Sequence, residues 1–341
     1  MKKIKNEIKL LYTFIILFIV CAFLLLFNIV LVLSNPIKIE ERNFDTVSNS
    51  VVSIHTYTGN TQNKKGSGFI YKVAKDKAYI LTNSHVIENV TSVKVYVTEE
   101  KSVDATILGH DNYLDVAVLS IENNNYKALK INKDNALNIG DIVYTIGTPL
   151  NNEFYNSTSS GIISKVSRLH YENNSNENIL MDMIQTDILS NPGNSGGPLF
   201  NEKLEVIGIC TSNIDVNNGL SGISFAVPIK HVMNKITELE TNKEVSKRKI
   251  DNVKIVDVKD SEELYKNNLI DITKEPYGVV VLETTKESSL KKGDIILEID
   301  NNIIKNIDYY NHYINIYSKD TKVKLKIKRN DKEKTIDVIL K

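Results

Sequence analysis

The stretch Asn191-Pro192-Gly193-Asn194-Ser195-Gly196-Gly197-Pro198-Leu199 decides how this chain is read. A serine hydroxyl is a weak nucleophile until the backbone presents it and a base removes its proton. Glycines on both sides of Ser195 allow a tight turn with unusual dihedral angles. Such a turn can aim two N–H groups at one point, where an oxyanion would form. Gly193 and Ser195 are the candidate donors, and Ser195 is the candidate nucleophile. Taken alone, the stretch also fits a glycine-rich surface turn with no chemistry.

Ser195 has partners upstream. His85 lies in Leu81-Thr82-Asn83-Ser84-His85-Val86-Ile87, and Asp115 opens Asp115-Val116-Ala117-Val118-Leu119. The chain order is therefore His, Asp, Ser, as in chymotrypsin-type triads. Gly193-Asn194-Ser195-Gly196-Gly197 also satisfies G-x-S-x-G, but that nucleophile elbow needs its acid and histidine after the serine. Only His231 and His312 follow. The first sits in an amphipathic helical pattern and the second in a separate C-terminal module, so the elbow is set aside.

Five ordered segments resemble the HtrA (Deg) family of trypsin-fold serine proteases. They are Gly66-Ser67-Gly68-Phe69-Ile70, Thr82–Val86, Asp115–Leu119, Gln185–Asp187 through Leu199, and Ser221–Pro228. The resemblance implies a mainly β fold: a chymotrypsin-like double β-barrel of two six-stranded barrels, followed by an α/β PDZ-like domain and preceded by one transmembrane helix. It implies that Ser195 attacks, His85 serves as base and acid, and Asp115 orients the imidazole. Leu189, six residues before the nucleophile, would floor the primary pocket, with Ile223 and Phe225 on its wall. That pocket offers a Lys or Arg side chain no charge, so small or medium aliphatic residues are expected before the cut. A homotrimer is implied by the family alone. The short Thr58–Lys65 segment resembles anchored, single-PDZ members rather than cage-forming ones.

Composition narrows the rest. The 341 residues hold 42 basic and 42 acidic side chains, so no global charge favours nucleic acid. Cys21 and Cys210 are the two cysteines, too few for a disulfide framework. The six histidines show no metal-ligand spacing, and no phosphate-binding Gly-Lys-Ser/Thr loop occurs; neither metal nor cofactor is expected. Residues 10–33 are uncharged, long enough to cross about 30 Å of hydrocarbon as a helix. Lys2, Lys3, Lys5 and Lys9 precede them, which puts the N-terminus in the cytoplasm and the remainder outside. A cleaved signal peptide is the rival, but its apolar run would be about 7–15 residues and end on small residues. The expected divisions are 1–34 cytoplasmic tip and anchor in the lipid bilayer, 35–49 linker, 50–240 protease domain, 241–249 linker and 250–341 PDZ-like domain.

From Val51 onward, short β-branched and aromatic runs alternate with turns, the pattern of a sandwich or barrel. Ile229, Val232, Met233, Ile236 and Leu239 share one helical face, which predicts a helix over 229–239. In the last module, Tyr277 to Leu282 and Gly293 to Asp300 read as strands, and Leu290–Ile296 is the strongest PDZ-like match. PDZ domains add a C-terminal peptide as an extra strand and hold its carboxylate with loop N–H groups. Tyr277, Gly278 and Val279 are the expected carboxylate loop. Lys322, Lys324, Lys326 and Lys328 read as the wet face of an edge strand. The function expected is a membrane-anchored extracytoplasmic serine endopeptidase acting on misfolded or regulatory proteins. The alternative is a peptide-binding stress sensor or chaperone with a minor hydrolytic role.

Overall fold

The computed structural model describes the chain except residues 1, 35–42, 124, 135, 151, 175–176, 190, 212–221, 268, 270–275 and 287. Most of the first expected linker, and Ser221 of the expected pocket wall, thus lie outside the described residues. Helix α1 (Lys2–Ser34) contains an apolar span, Ile8–Val30, of mean hydropathy 3.0. By length and composition this span could cross a membrane.

From Asn43 on, the chain forms a second compact unit. Helix α2 (Phe44–Ser48) is capped by Asn43, whose side-chain oxygen accepts the Thr46 N–H. Strands β1 (Val51–Thr58), β2 (Thr61–Val73), β3 (Lys77–Thr82), β4 (Ser92–Tyr96), β5 (Ser102–Asp111) and β6 (Val116–Glu122) close a barrel in the order β1-β2-β3-β6-β5-β4. Strands β7 (Ile142–Gly147), β8 (Ser157–Asn174), β9 (Glu177–Thr186), β10 (Pro198–Phe200), β11 (Val206–Thr211) and β12 (Ser224–Pro228) close a second, in the order β10-β11-β12-β9-β8-β7.

Strand β6 shows how the two barrels share a core. Its first six residues are all buried. Ala117, Leu119 and Ile121 pack inside the first barrel with Ile54, Ile70 and Ile80. Val116 and Val118 join a larger core with Met181, Phe200, Ile209 and Phe225 of the second. The two-residue period of a strand sends alternate side chains to different cores, so a continuous apolar run is what this place requires.

After β12 the expected single helix is two: α3 (Ile229–Asn234) and α4 (Ile236–Thr241), broken at Lys235. The expected linker that follows is held in place. The His110 N–H donates to the Lys243 carbonyl, and Val245 and Arg248 are buried. The last module contains α5 (Ser261–Lys266), α6 (Ile307–Asn315) and a sheet of β13 (Lys254–Asp257), β14 (Val279–Glu283), β15 (Ile295–Ile299), β17 (Lys322–Arg329) and β18 (Lys332–Ile339) in that order, with β16 (Asn302–Ile303) on β15. Strand β17 is interior, paired to β15 and β18, and so is no edge strand. Its Val323, Leu325 and Ile327 are buried in the core of this sheet. Its lysines instead meet acids on neighbouring strands, Lys322 with Asp337 and Lys326 with Glu298.

Candidate active site

Asp115 follows the end of β5 and precedes β6, with a left-handed φ of 53°. Its carboxylate is buried among donors. Oδ2 lies 2.8 Å from His85 Nδ1 and accepts the Thr211 hydroxyl at 3.0 Å. Oδ1 accepts the His85 backbone N–H and the Ser84 hydroxyl, each at 3.0 Å. Burial alone would raise this pKa. The His85 imidazole and the hydrogen bonds from His85 and Ser84 outweigh it and hold the carboxyl below the usual carboxylate range. The ionised form of Asp115 is thereby favoured, with Oδ2 at 2.8 Å and Oδ1 at 3.0 Å from His85 Nδ1. His85 sits in a 3-10 turn, Ser84–Val86, and its side chain is 29% exposed. One edge of the ring is held and the ring still reaches solvent.

Ser195 comes from the second barrel, in the turn before β10. Its carbonyl accepts the Ser67 N–H at 2.7 Å, which ties the turn to β2. The Ser67 hydroxyl donates to the Gly193 carbonyl at 2.7 Å and accepts the Thr148 N–H at 3.0 Å. The Leu150 N–H donates to the Pro192 carbonyl at 2.8 Å. With these carbonyls engaged, the N–H groups of Gly193 and Ser195 have no acceptor among the described residues. Gly193 and Gly196 have φ of 103° and 88°, and a Cβ at either would stand 2.4 Å or less from a backbone oxygen. No other residue type fits this turn unstrained.

Ser84, Thr211 and Ser67 carry much of this geometry and were not assigned roles from the sequence. The available signal was a hydroxyl residue at the end of an otherwise apolar strand, as Thr211 is after Val206–Cys210. Lys64 was also passed over; its ammonium donates to the His85 carbonyl at 2.8 Å.

Two expected sets of contacts need correction. Leu189 is 61% exposed and so does not floor a pocket, whereas its neighbour Ile188 is buried. Phe225 is buried in the shared core and stacks on His170 with ring centroids 4.9 Å apart, and Ile223 packs at the margin of that core. Tyr277, Gly278 and Val279 do lead into a strand, but Val279 pairs with Asp257 of β13 on one side and Ile296 of β15 on the other. An added peptide strand needs a free row of N–H and C=O groups, and β14 has none at Val279. Among the described residues, the outer strand on that side of the sheet is β13.

Two closed six-stranded barrels, with histidine and aspartate from the first and a serine turn from the second, define the trypsin-like class. The trypsin-like peptidase domain family matches residues 66–209, and the PDZ domain family matches residues 245–340. A Lactococcus lactis subsp. cremoris protein, "Serine protease Do-like HtrA", is 34% identical over 86% of this chain and 80% of its own length. A Staphylococcus haemolyticus "Serine protease HtrA-like" is 31% identical over 88% of this chain. The chain spans about half the length of that staphylococcal relative, 50%. Among solved structures, "HtrA-type protease AlgW with tripeptide" aligns with a TM-score of 0.63 at 25% identity, covering 87% of this chain and 96% of that one. The chain belongs to the HtrA family of trypsin-like serine proteases.

Proposed function

We propose that this chain is a membrane-anchored serine endopeptidase whose protease and PDZ domains lie outside the cytoplasm. Ser195 Oγ attacks the scissile carbonyl carbon while His85 Nε2 takes its proton. The imidazolium then protonates the departing amine, and water hydrolyses the acyl-enzyme by the same route in reverse. Asp115 holds the imidazole tautomer and stabilises its charged form. The N–H groups of Gly193 and Ser195 bind the oxyanion. The observation that carries the reading is Asp115: a buried carboxylate against one edge of a half-open imidazole, with hydroxyl and amide donors on its remaining lone pairs.

Substrates are proposed to be unfolded or regulatory proteins, cut after small or medium aliphatic residues. Half-buried Ile223 supports an apolar pocket better than the exposed Leu189 does. A C-terminal peptide is proposed to add to β13, the outer strand. The anchor rests on the span Ile8–Val30, and its basic N-terminal flank supports a cytoplasmic N-terminus. A homotrimer rests on family membership alone. Ser195→Ala tests the enzyme reading: casein hydrolysis is expected to fall by roughly 10⁶-fold with the melting temperature unchanged. A folded Ser195→Ala protein that still cleaves casein would refute it.

A further inference from the structure

Four residues before Asp115 stands a second buried aspartate. Asp111 ends β5, and its Oδ1 accepts the backbone N–H groups of Tyr113 at 2.9 Å and Leu114 at 3.1 Å. These two bonds shape the turn that delivers Asp115. The other oxygen, Oδ2, receives the Lys235 ammonium at 2.6 Å, and both side chains are 1% exposed. Lys235 occupies the break between α3 and α4. The segment beyond it is clamped onto the same strand: a Cβ on Gly109 of β5 would lie 2.0 Å from the Asn242 carbonyl oxygen. Glu240 adds bonds to Tyr71 and Lys72 of β2.

A buried ion pair is a poor source of net stability, because desolvating both charges offsets their attraction. Packing alone would be served as well by apolar side chains. What apolar side chains could not do is hold an oxygen against two consecutive N–H groups of the Asp115 turn. We propose that Asp111 and Lys235 are positioning residues for the catalytic carboxylate. The lysine fixes the orientation of Asp111, Asp111 fixes the turn, and the turn fixes Asp115 against His85. The helical segment that closes the second barrel thereby sets a group contributed by the first. This inference rests on Asp115 serving as the triad acid.

The test compares two charge-free pairs in the full-length chain in detergent. Asp111→Asn with Lys235→Met keeps an oxygen for both turn N–H groups. Asp111→Ala with Lys235→Met removes it. Four quantities are read: the melting temperature, the rate at which a fluorophosphonate labels Ser195, and kcat and KM on casein. The Asn pair is expected to label about 10- to 100-fold faster than the Ala pair. The loss should appear in kcat, with KM within about twofold, since the contacts removed do not touch substrate. Equal labelling rates in two folded pairs would overturn the proposal. Should the Ala pair not fold, the comparison passes to Lys235→Met alone, whose Asp111 is free to leave the turn. It is expected to label more slowly than the Asn pair, and equality would again overturn the role. Ser195→Ala separates the two readings. If it keeps hydrolysing casein, the triad fails; if it is inactive while the pairs are equal, only the positioning role fails.

Discussion

Asp111 and Asp115 are the same residue type, stand four positions apart and are both buried, yet their surroundings suit opposite tasks. Asp111 faces the Lys235 ammonium, which has no part in the proposed proton transfer, and spends its other oxygen on two backbone N–H groups. Asp115 faces His85, an imidazole that can lose and regain a proton, and takes its other bonds from Ser84, Thr211 and the His85 amide. A buried partner outside the proton transfer makes a fixture. A partner that changes charge lets the carboxylate respond during a reaction. On the proposed function, what separates the positioning aspartate from the triad aspartate is the partner, and burial alone would rank the two alike.

Among changes around these two aspartates, Asp115→Asn has the largest expected effect. The amide can still occupy the site, but it favours the wrong imidazole tautomer. kcat should fall by about 10⁴-fold while thermal stability changes little. Stopped assays on the purified variant, paired with a melting curve, read both quantities. A fall below tenfold would erase the contrast drawn between the two aspartates.

Buried histidines without a carboxylate partner extend the comparison. His231 on α3 and His312 on α6 face each other, with ring centroids 6.4 Å apart. Burial first, then the nearby charges of Lys230, His312 and Lys235, lowers the His231 pKa to about 3. Burial lowers that of His312 to about 4. Unfolded chains take up these protons near 6.5, and the folded chain resists until well below that. Both groups thus stabilise the fold fully above about pH 6.5, and that contribution is lost as pH falls towards 4 and 3. The loss should approach roughly 3 kcal/mol for His312 and roughly 5 kcal/mol for His231 at the low end of the window. Urea unfolding at pH 7 and pH 4.5 measures it. His312→Phe should show a shallower pH dependence than the native chain, and an unchanged slope would mean the pair is not protonated on unfolding.

Thr211→Val gives the smallest effect. It removes one of the donors on Asp115 and leaves the His85 contact in place. The Asp115 pKa should rise and kcat fall by about tenfold, roughly the worth of one hydrogen bond to a charged group. Steady-state kinetics of the folded variant decide it. A loss as large as that of Asp115→Asn would show that the hydroxyl, and not the imidazole, sets the carboxylate.

The contrast between the serine turn and the Tyr277–Val279 turn explains what was legible. Around Ser195 the requirement is local: glycines at 193 and 196 permit backbone angles that other residues resist, and the flanking residues spell this out in order. At Tyr277–Val279 the local signal, a glycine before a strand, was read correctly as a strand start. Its availability to a peptide depended on which strands pair beside it, and β13 and β15 occupy both sides. Leu189 failed for a similar reason. Counting back from Ser195 located the residue, but the direction of its side chain depends on how the turn is folded.

The sequence by itself determined the order of histidine, aspartate and serine, the alternating strands, the long apolar N-terminal segment and the family. Each is a matter of residue type at short spacing, where backbone geometry and periodicity act directly. Only the tertiary structure decided that Ser84 and Thr211 converge on Asp115, that Lys235 interrupts a helix to reach Asp111, and that β13 is the outer strand beside β14. These depend on contacts between residues far apart in the chain. A buried charge accepts whichever partner the packing brings near, and nothing in its own neighbourhood of sequence names that partner.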